Sequence, residues 1–454
     1  MKLLRILKPI FLLTIMGILF VLTLTGCSSD KIALLSEDGE PQYTVIRPYD
    51  ASVTEHEAAN TVLTGLNELS GASFYLKSDF FPSDTPDEEI AATYEILIGK
   101  TARAESISAK EELAENEYII TVTGNKIVIV GGSDYATYSA AKEFLKLFET
   151  EDNLMLPKDF TQKGEIKMPS YLVALTNQKD SLLEVYDLSK GTLDETSRVW
   201  SYEMPYYNIA GAKLRHSETF DDVALAVCGY GYGCMVSYPE GDLIWYTEAA
   251  ADNPHSIELL PCGVIAIASS NGGEIRFFTT DKKYSKAPAA TVSLPDAHGV
   301  LWDDKNNVLW AIGSYLLTAY KVTLNDDNSV TVEEQISQRT ILPYGNAHDL
   351  SPVYGSPDEL CITTGRYVYR FNKTTKTFST EYEGNEYINR LNVKGAGNFT
   401  DGSLVYIFPD GALHSWTSQS IVFVHNFDGE MVSERLASKT GHFYKVRVWN
   451  SAYQ

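Results

Sequence analysis

From about Tyr171 to the last residue, short apolar strands alternate with turns rich in glycine, asparagine and aspartate, and helical periodicity is absent. Six apolar strand cores begin 41 to 51 residues apart, at 172–175, 223–227, 264–268, 308–312, 359–363 and 403–407. A period in the forties with four short strands in each repeat is typical of a β-propeller blade. The pattern therefore predicts an all-β six-bladed β-propeller at 171–454, with seven blades as the alternative count.

The final strand of the pattern, at 443–449, has no blade of its own. We expect it to pair with the first repeat, at Leu172, because this pairing closes the ring with strands from both ends of the domain. A closed ring leaves no exposed sheet edge.

Residues 41–150 show a different pattern, in which β-branched strands alternate with amphipathic helices. Strands are predicted at 43–46, 74–76, 94–99, 117–123 and 126–130, and helices at 55–69 and 135–148. Gly124-Asn125, between the last two strands, favours a hairpin. The pattern predicts a small α/β domain before the propeller, joined to it by a linker at 151–170.

The first 26 residues have the parts of a secretory signal, with a basic start and an apolar stretch at 10–24. Leu24-Thr25-Gly26-Cys27 resembles a lipobox. The resemblance implies a signal peptide at 1–26, lipidation of Cys27 and a polar tether at 27–40, and a plain anchor helix is the alternative. We expect an exported monomer, lipid-anchored to the bacterial cell membrane or outer membrane and attached to it through the lipid only.

The net charge of −23 gives an acidic surface, which repels phosphate backbones and argues against nucleic acid as a partner. The cysteines after Cys27 do not have the spacing of a zinc site; they are Cys228, Cys234, Cys262 and Cys361. Cys228 and Cys234 flank a glycine-rich turn, where either a disulfide or two buried thiols agree with the sequence.

Five of the eight histidines fall just before the first strand of a repeat: His216, His255, His298, His348 and His442. The remaining repeat has Lys394 there. The first strand of every blade lines the central channel, so these side chains are predicted to converge on the propeller axis. The alternative is structural, with each histidine bonded inside its own blade as in WD40 propellers, although their Trp-Asp pair is missing here.

Converging imidazoles allow two kinds of site. His255, His298 and His348 are candidate ligands for a divalent metal, namely Mn, Fe, Ni or Zn. Alternatively, Lys394 with Arg215 and Arg390 predicts a pocket for a carboxylate or sulfate, in which a neutral histidine moves protons.

Two stretches of the α/β pattern, EILIGKTAR at 95–103 and VGGSDYATYSAAKEFL at 130–145, resemble the non-catalytic N-terminal domain of family-20 hexosaminidases and family-67 α-glucuronidases. This resemblance implies a glycan context. The repeats with their histidines resemble a bacterial lipoprotein β-propeller family of unknown function. More distantly they resemble oligogalacturonate lyases, in which a histidine-bound metal holds a uronate carboxylate, and arylsulfate sulfotransferases, whose channel histidines surround a sulfate.

The leading hypothesis is a surface-anchored protein that acts on an acidic oligo- or polysaccharide as a metal-assisted lyase. In this hypothesis the five histidines supply metal ligands and a base: His216, His255, His298, His348 and His442. Lys394, Arg215 and Arg390 engage the carboxylate. A non-catalytic glycan- or protein-binding propeller with structural histidines is the second hypothesis, and sulfuryl transfer is the third.

Overall fold

The computed structural model describes residues 30–149 and 153–454. They divide into two compact units, residues 30–49 with 58–165 and residues 50–57 with 166–454. The signal expected at 1–26 and the lipidation site at Cys27 lie outside the described residues. Within the described ranges, no helix is both long enough and apolar enough to cross a membrane.

The elements of residues 30–165 are β1 Lys31–Ala33, β2 Thr44–Arg47, α1 Val53–Ser70, β3 Leu76–Ser78, α2 Asp87–Ala92, β4 Glu95–Ile98, α3 Ala104–Glu111, β5 Glu117–Thr123, β6 Lys126–Gly131, α4 Asp134–Lys146, β7 Met155–Pro157 and β8 Thr161–Glu165. Six strands form one sheet in the order β3-β2-β4-β6-β5-β8, and the first four are parallel. β5 and β6 form the hairpin predicted at Gly124-Asn125, and all of β6 is buried. The pattern does not predict α2 and α3, which are short and bury only Ser106.

The segments interpreted as a tether and a linker contain strands. β1 pairs antiparallel with β7, and β8 extends the sheet beside β5. β1 and β7 have three residues each, too few for an alternation of apolar and polar positions to show in the sequence.

The rest of the chain forms six four-stranded blades, which confirms the predicted six-bladed β-propeller. The strands of blades 1 to 3 are β9 Leu172–Asn177, β10 Leu182–Asp187 and β11 Arg198–Glu203; β12 Gly211–Ser217, β13 Asp221–Cys228, β14 Tyr232–Ser237 and β15 Leu243–Thr247; and β16 Pro254–Leu259, β17 Val264–Ser269, β18 Glu274–Thr279 and β19 Ala290–Ser293. Those of blades 4 to 6 are β20 Gly299–Asp303, β21 Val308–Ile312, β22 Leu316–Leu324, β23 Val330–Glu334 and the added β24 Thr340–Ile341; β25 Asp349–Pro352, β26 Glu359–Thr363, β27 Val368–Asn372 and β28 Thr377–Ser379; and β29 Gly395–Asn398, β30 Leu404–Ile407, β31 Ser420–Phe427 and β32 Glu430–Ala437. A short helix, α5 Asn385–Ile388, precedes blade 6, and β33 Phe443–Val448 follows it.

The ring closes through β33, which pairs antiparallel with β9 and is the inner strand of blade 1. The propeller is therefore closed by strands from both ends of the domain, as predicted. The inner strands of the other blades are β12, β16, β20, β25 and β29.

The apolar strand cores of the sequence are the second strands of the blades. These strands are buried on both faces because neighbouring blades pack against them; all of β17, for example, is buried. Val264 and Ala266 of β17 belong to the same apolar cluster as Val300 and Trp302 of the next blade. Apolar packing between the blades thus leaves the inner strands around the central channel.

All inner strands run in the same direction, because every blade repeats the same antiparallel order. One end of the channel is therefore surrounded by the residues that lead into the inner strands and by the turns between second and third strands. We call this end the mouth. The residues that follow the inner strands surround the opposite end.

Candidate functional site at the channel mouth

Backbone hydrogen bonds identify equivalent residues of four blades at the mouth, and strand bulges place residues of the other two blades at the same level. The amides of His298, His348 and Lys394 donate to carbonyl oxygens at the mouth end of their second strands, and the amide of Ala210 does the same in blade 2. At this level His255 lies in the bulge of β16, and Tyr444 and Lys445 lie in the bulge of β33. We call these residues the mouth ring. It contains three of the five predicted histidines.

The three histidines lie side by side with Lys394. The ring centroids of His255 and His298 are 4.3 Å apart, and those of His298 and His348 are 5.9 Å apart. Lys394 Nζ lies 2.8 Å from His348 Nε2. The three histidines are only 6 to 8% exposed, so the cluster is largely withdrawn from solvent.

Hydrogen bonds to the backbone fix the tautomer of two imidazoles. His255 Nδ1 lies 2.9 Å from the carbonyl oxygen of Asn253, and His298 Nδ1 lies 3.0 Å from that of Asp296. A carbonyl oxygen only accepts, so each Nδ1 donates its hydrogen and each Nε2 keeps a lone pair. Neither Nε2 atom has a hydrogen-bond partner among the described residues, so both are free to bind a ligand or to accept a proton.

Asp296 is a residue of the site that the sequence reasoning missed. Its carboxylate Oδ1 lies 3.1 Å from His298 Nδ1, beside its own carbonyl oxygen. A carboxylate in this place orients the imidazole and stabilises the positive charge that the ring gains when it accepts a proton. Of the three histidines, His298 therefore has the geometry of a general base.

Burial and neighbouring cations keep two of the imidazoles neutral. Burial lowers the pKa of His348 to about 2, and Lys394 and His298 act in the same direction. Burial, with His298 and Lys445 beside it, places the pKa of His255 well below its usual value. Burial and Lys445 also lower the pKa of Lys394 to about 8. Lys394 forms no ion pair with any carboxylate of the described residues.

Two predicted histidines are not members of the mouth ring. The side chain of His216 is 62% exposed at the far end of β12, and its Nδ1 lies 2.9 Å from Asp222 Oδ1. His442 precedes β33, and burial and Lys179 lower its pKa. The spacing of 39 residues between His216 and His255 fits the repeat. However, the backbone hydrogen bond of Ala210 shows that Ala210, and not His216, occupies the ring position of blade 2.

The two predicted arginines do not join the histidine cluster. Arg215 lies towards the opposite end of the channel, where its Nε and Nη2 atoms bind the two carboxylate oxygens of Glu258 at 2.6 and 2.9 Å. Arg390 is exposed in the loop before β29, with its guanidinium carbon 3.8 Å from the centre of the Phe408 ring. Of the cations proposed to engage a carboxylate, only Lys394 stands among the histidines.

Buried ion pairs line the channel next to the mouth ring, and one of them includes Lys445 of the ring itself. They join Glu258 to Lys213 and Arg215, and Asp349 to Lys445 and Arg447. These six side chains are at most 9% exposed, and four cations share two carboxylates. Burial lowers the pKa of Lys213 to about 7, against the opposing effect of Glu258. The channel is therefore rich in positive charge.

The opposite end of the channel is crossed by the chain that follows β33. Tyr453 Oη donates to the carbonyl oxygen of Leu259 at 2.7 Å, and Gln454 Nε2 donates to that of Trp302 at 3.5 Å. A cavity of about 540 Å³ at this end is lined in part by Tyr354 and Trp449, and no histidine contributes to it. The histidine cluster is thus separate from this cavity.

Two observations bear on the predicted metal ligands His255, His298 and His348. Within the described parts of the chain, no group of three or more histidine, cysteine, aspartate or glutamate side chains is arranged to hold a metal ion. In addition, Lys394 places an ammonium group at the Nε2 atom of His348, where it would repel a metal cation. A metal at His255, His298 and His348 stays a prediction.

The alternatives for Cys228 and Cys234 are resolved in favour of buried free thiols. Cys228 pairs with Tyr232 and Cys234 pairs with Ala226 in the hairpin of β13 and β14, so the two cysteines are not opposite each other.

Comparison with known protein families finds a match for part of the chain. Residues 222–420 match the family described as Family of unknown function (DUF6528). The residues that match DUF6528 include the three clustered histidines and Lys394, whereas His216 and His442 lie outside them. A solved structure described as a functionally unknown protein from Desulfotomaculum acetoxidans DSM 771 superposes with a TM-score of 0.42 and 10% identity, over 62% of this chain and 100% of that chain. The search of curated proteins gives no match.

Proposed function

We propose that the mouth ring binds the carboxylate of an acidic sugar residue, with Lys394 as its cationic partner. The observation that carries this proposal is the charge of the site: Lys394 has no carboxylate partner among the described residues and lies beside the neutral His348. Removing a cation from water without a partner is costly, and a ligand carboxylate would supply the missing charge. It would also accept charge-assisted hydrogen bonds, which are the stronger kind.

In this proposal His298 is the proton acceptor. Once the carboxylate of a uronate residue is neutralised, the hydrogen on the adjacent C5 becomes more acidic. His298 Nε2 takes this proton, the bond from C4 to the glycosidic oxygen breaks, and a double bond forms between C4 and C5. The departing oxygen takes a proton from water, and the hydroxide that remains takes the abstracted proton from His298, which restores the neutral imidazole. Asp296 stabilises the imidazolium that forms.

The substrate class proposed is an acidic oligo- or polysaccharide outside the cell. The likeness of residues 41–150 to domains of glycan-degrading enzymes supports this class. The signal-like N-terminus with Cys27 supports an exported protein held at the membrane by a lipid, where it would meet such glycans.

A non-catalytic glycan-binding propeller is the second candidate function. It is favoured by the hydrogen bonds that hold His255 and His298 to turns of their own blades, and by the low exposure of both rings. In that case Lys394 binds the carboxylate in the same way, but no bond is broken.

Three variants test these roles with polygalacturonate, alginate and glucuronan as probes. We expect His298→Gln to reduce formation of the unsaturated uronate, followed by its ultraviolet absorbance, by about a hundredfold, since it removes the general base. Lys394→Met is expected to weaken uronate binding at least tenfold in calorimetry, about 1.4 kcal/mol. The matched control is His216→Gln, which changes an exposed histidine far from the mouth.

The outcomes separate the candidates. Binding that depends on Lys394 without any unsaturated product would favour the non-catalytic propeller. Uronate binding that is unchanged in Lys394→Met would refute both candidates. Elemental analysis of the untagged protein beside a His255→Ala/His298→Ala variant tests the metal: a stoichiometric metal that the variant loses would assign carboxylate binding to that metal instead of Lys394.

A further inference from the structure

The exposed aromatic side chains of the propeller are concentrated at the mouth. Among the described residues from 166 onward, six tyrosine or tryptophan side chains are 40 to 75% exposed. Five lie in loops around the mouth, namely Tyr207, Tyr230, Tyr315, Tyr344 and Trp416, and Tyr284 alone lies at the opposite end. Single exposed aromatic residues need no explanation, but their accumulation at one end marks a binding surface.

Four of these tyrosines form two platforms. Tyr207 and Tyr230 lie in adjoining loops of blade 2, which are joined by a hydrogen bond from the amide of Gly229 to the carbonyl oxygen of Tyr207. Tyr315, in the turn between β21 and β22 of blade 4, lies against the loop of Tyr344 that leads into blade 5: a Cβ added to Gly345 would fall 2.0 Å from a ring carbon of Tyr315. We call these pairs the blade 2 platform and the blade 5 platform.

The two platforms stand on opposite sides of the mouth ring. In a ring of six blades, blade 2 faces blade 5 across the axis. The loop of Tyr207 leads into β12, the inner strand of blade 2, and the loop of Tyr344 leads into β25, the inner strand of blade 5. Lys394 and the histidines lie around the axis between these loops. A ligand that contacts both platforms must therefore cross the mouth ring.

We propose that an acidic polysaccharide chain lies across the mouth from one platform to the other, so that an internal residue of the chain meets the mouth ring. This inference rests on the proposed function. Tyrosine rings offer flat apolar faces to the C–H faces of sugar rings, and their hydroxyl groups reach the sugar hydroxyls. The cationic centre selects the acidic residue, and the platforms bind its neighbours on both sides.

Chain length is the property that tests this arrangement. We expect affinity to rise from the uronate monomer to the hexamer, because only the longer chain reaches both platforms. Tyr207→Ala and Tyr344→Ala should each weaken hexamer binding about threefold to tenfold and leave monomer binding unchanged. Tyr284→Ala is the matched control, since it removes an exposed tyrosine at the opposite end. Gly345→Ala should weaken hexamer binding as Tyr315→Ala does, because the added methyl group displaces the ring of Tyr315.

The inference and the proposed function fail in different ways. Equal affinity for monomer and hexamer, or an equal loss in Tyr284→Ala, would overturn the inference; the proposed function would stand if Lys394→Met still weakened monomer binding at least tenfold. Monomer binding that does not depend on Lys394 would overturn the proposed function. A neutral hexasaccharide bound as tightly as the uronate hexamer would overturn the requirement for an acidic chain.

Discussion

Replacing Glu258 with leucine is expected to lower the free energy of unfolding by about 3–5 kcal/mol. The side chain is fully buried and binds Arg215 through two hydrogen bonds and Lys213 through one of 3.0 Å. Leucine leaves both cations buried without a counter-charge, and removing one partner of a buried pair costs far more than the pair itself contributes. The midpoint of urea unfolding measures the loss.

Two further variants separate the loss of a counter-charge from the loss of packing. Asp358→Ala breaks the exposed pair with Lys305 and should change stability by less than about 1 kcal/mol. Lys213→Met removes one of the four channel cations and keeps the carboxylate paired with Arg215, so we expect it to cost much less than Glu258→Leu. If Lys213→Met were as destabilising as Glu258→Leu, the excess of positive charge in the channel would not be the controlling factor.

The fold is predictable from the sequence where a strand is buried on both faces. β17 is apolar except for its last residue because blades pack on both sides of it, and such a run stands out in any repeat. The final strand, β33, is equally visible because it follows the last complete repeat and begins no blade of its own. β1 and β7 are not visible, since three-residue strands have no periodicity to read.

The members of the mouth ring were predictable in part. The residue two positions before a ring residue is the sequence signal that identifies the correct member in blade 2. This residue is asparagine or aspartate in five blades, with φ between 55° and 59°: Asn208, Asn253, Asp296, Asn346 and Asn392. Asparagine and aspartate adopt this left-handed conformation more readily than other non-glycine residues. Alignment on this turn places Ala210 in the ring and leaves His216 outside it.

The buried charges of the channel were not predictable. Glu258 pairs with Lys213, which lies 45 residues away, and Asp349 pairs with Arg447, which lies 98 residues away. Such pairs form only because the ring brings inner strands of different blades to one axis. In the sequence, Glu258 and Asp349 are single carboxylates in short strands, and Lys213 and Arg447 each share a strand with one other cation; charged positions of this kind are more often solvated.

Acid is expected to destabilise the propeller between pH 6.5 and pH 4.5, above the range in which its buried carboxylates titrate. The folded-state pKa values of His255 and His348 lie far below 6.5, so in this range the unfolded chain binds at least two protons that the folded chain does not, and His442, whose pKa is also lowered, acts in the same direction. Stability therefore falls as the pH falls, by about 1.4 kcal/mol per pH unit for each histidine and by at most about 5 kcal/mol for both. Glu258 and Asp349, whose pKa values are lowered, lose their contribution only in stronger acid.

The midpoint of urea unfolding, measured at several pH values between 6.5 and 4.5, tests this pH dependence of stability. The His255→Gln/His348→Gln variant should lose most of the slope, whereas His216→Gln, which changes an exposed side chain, should keep it; an unchanged slope in the double variant would contradict the prediction. A uronate carboxylate held by Lys394 would favour protonated imidazoles beside it. Saturation with uronate should therefore flatten the slope of the parent protein, which links the acid sensitivity of the fold to the ligand proposed for the mouth ring.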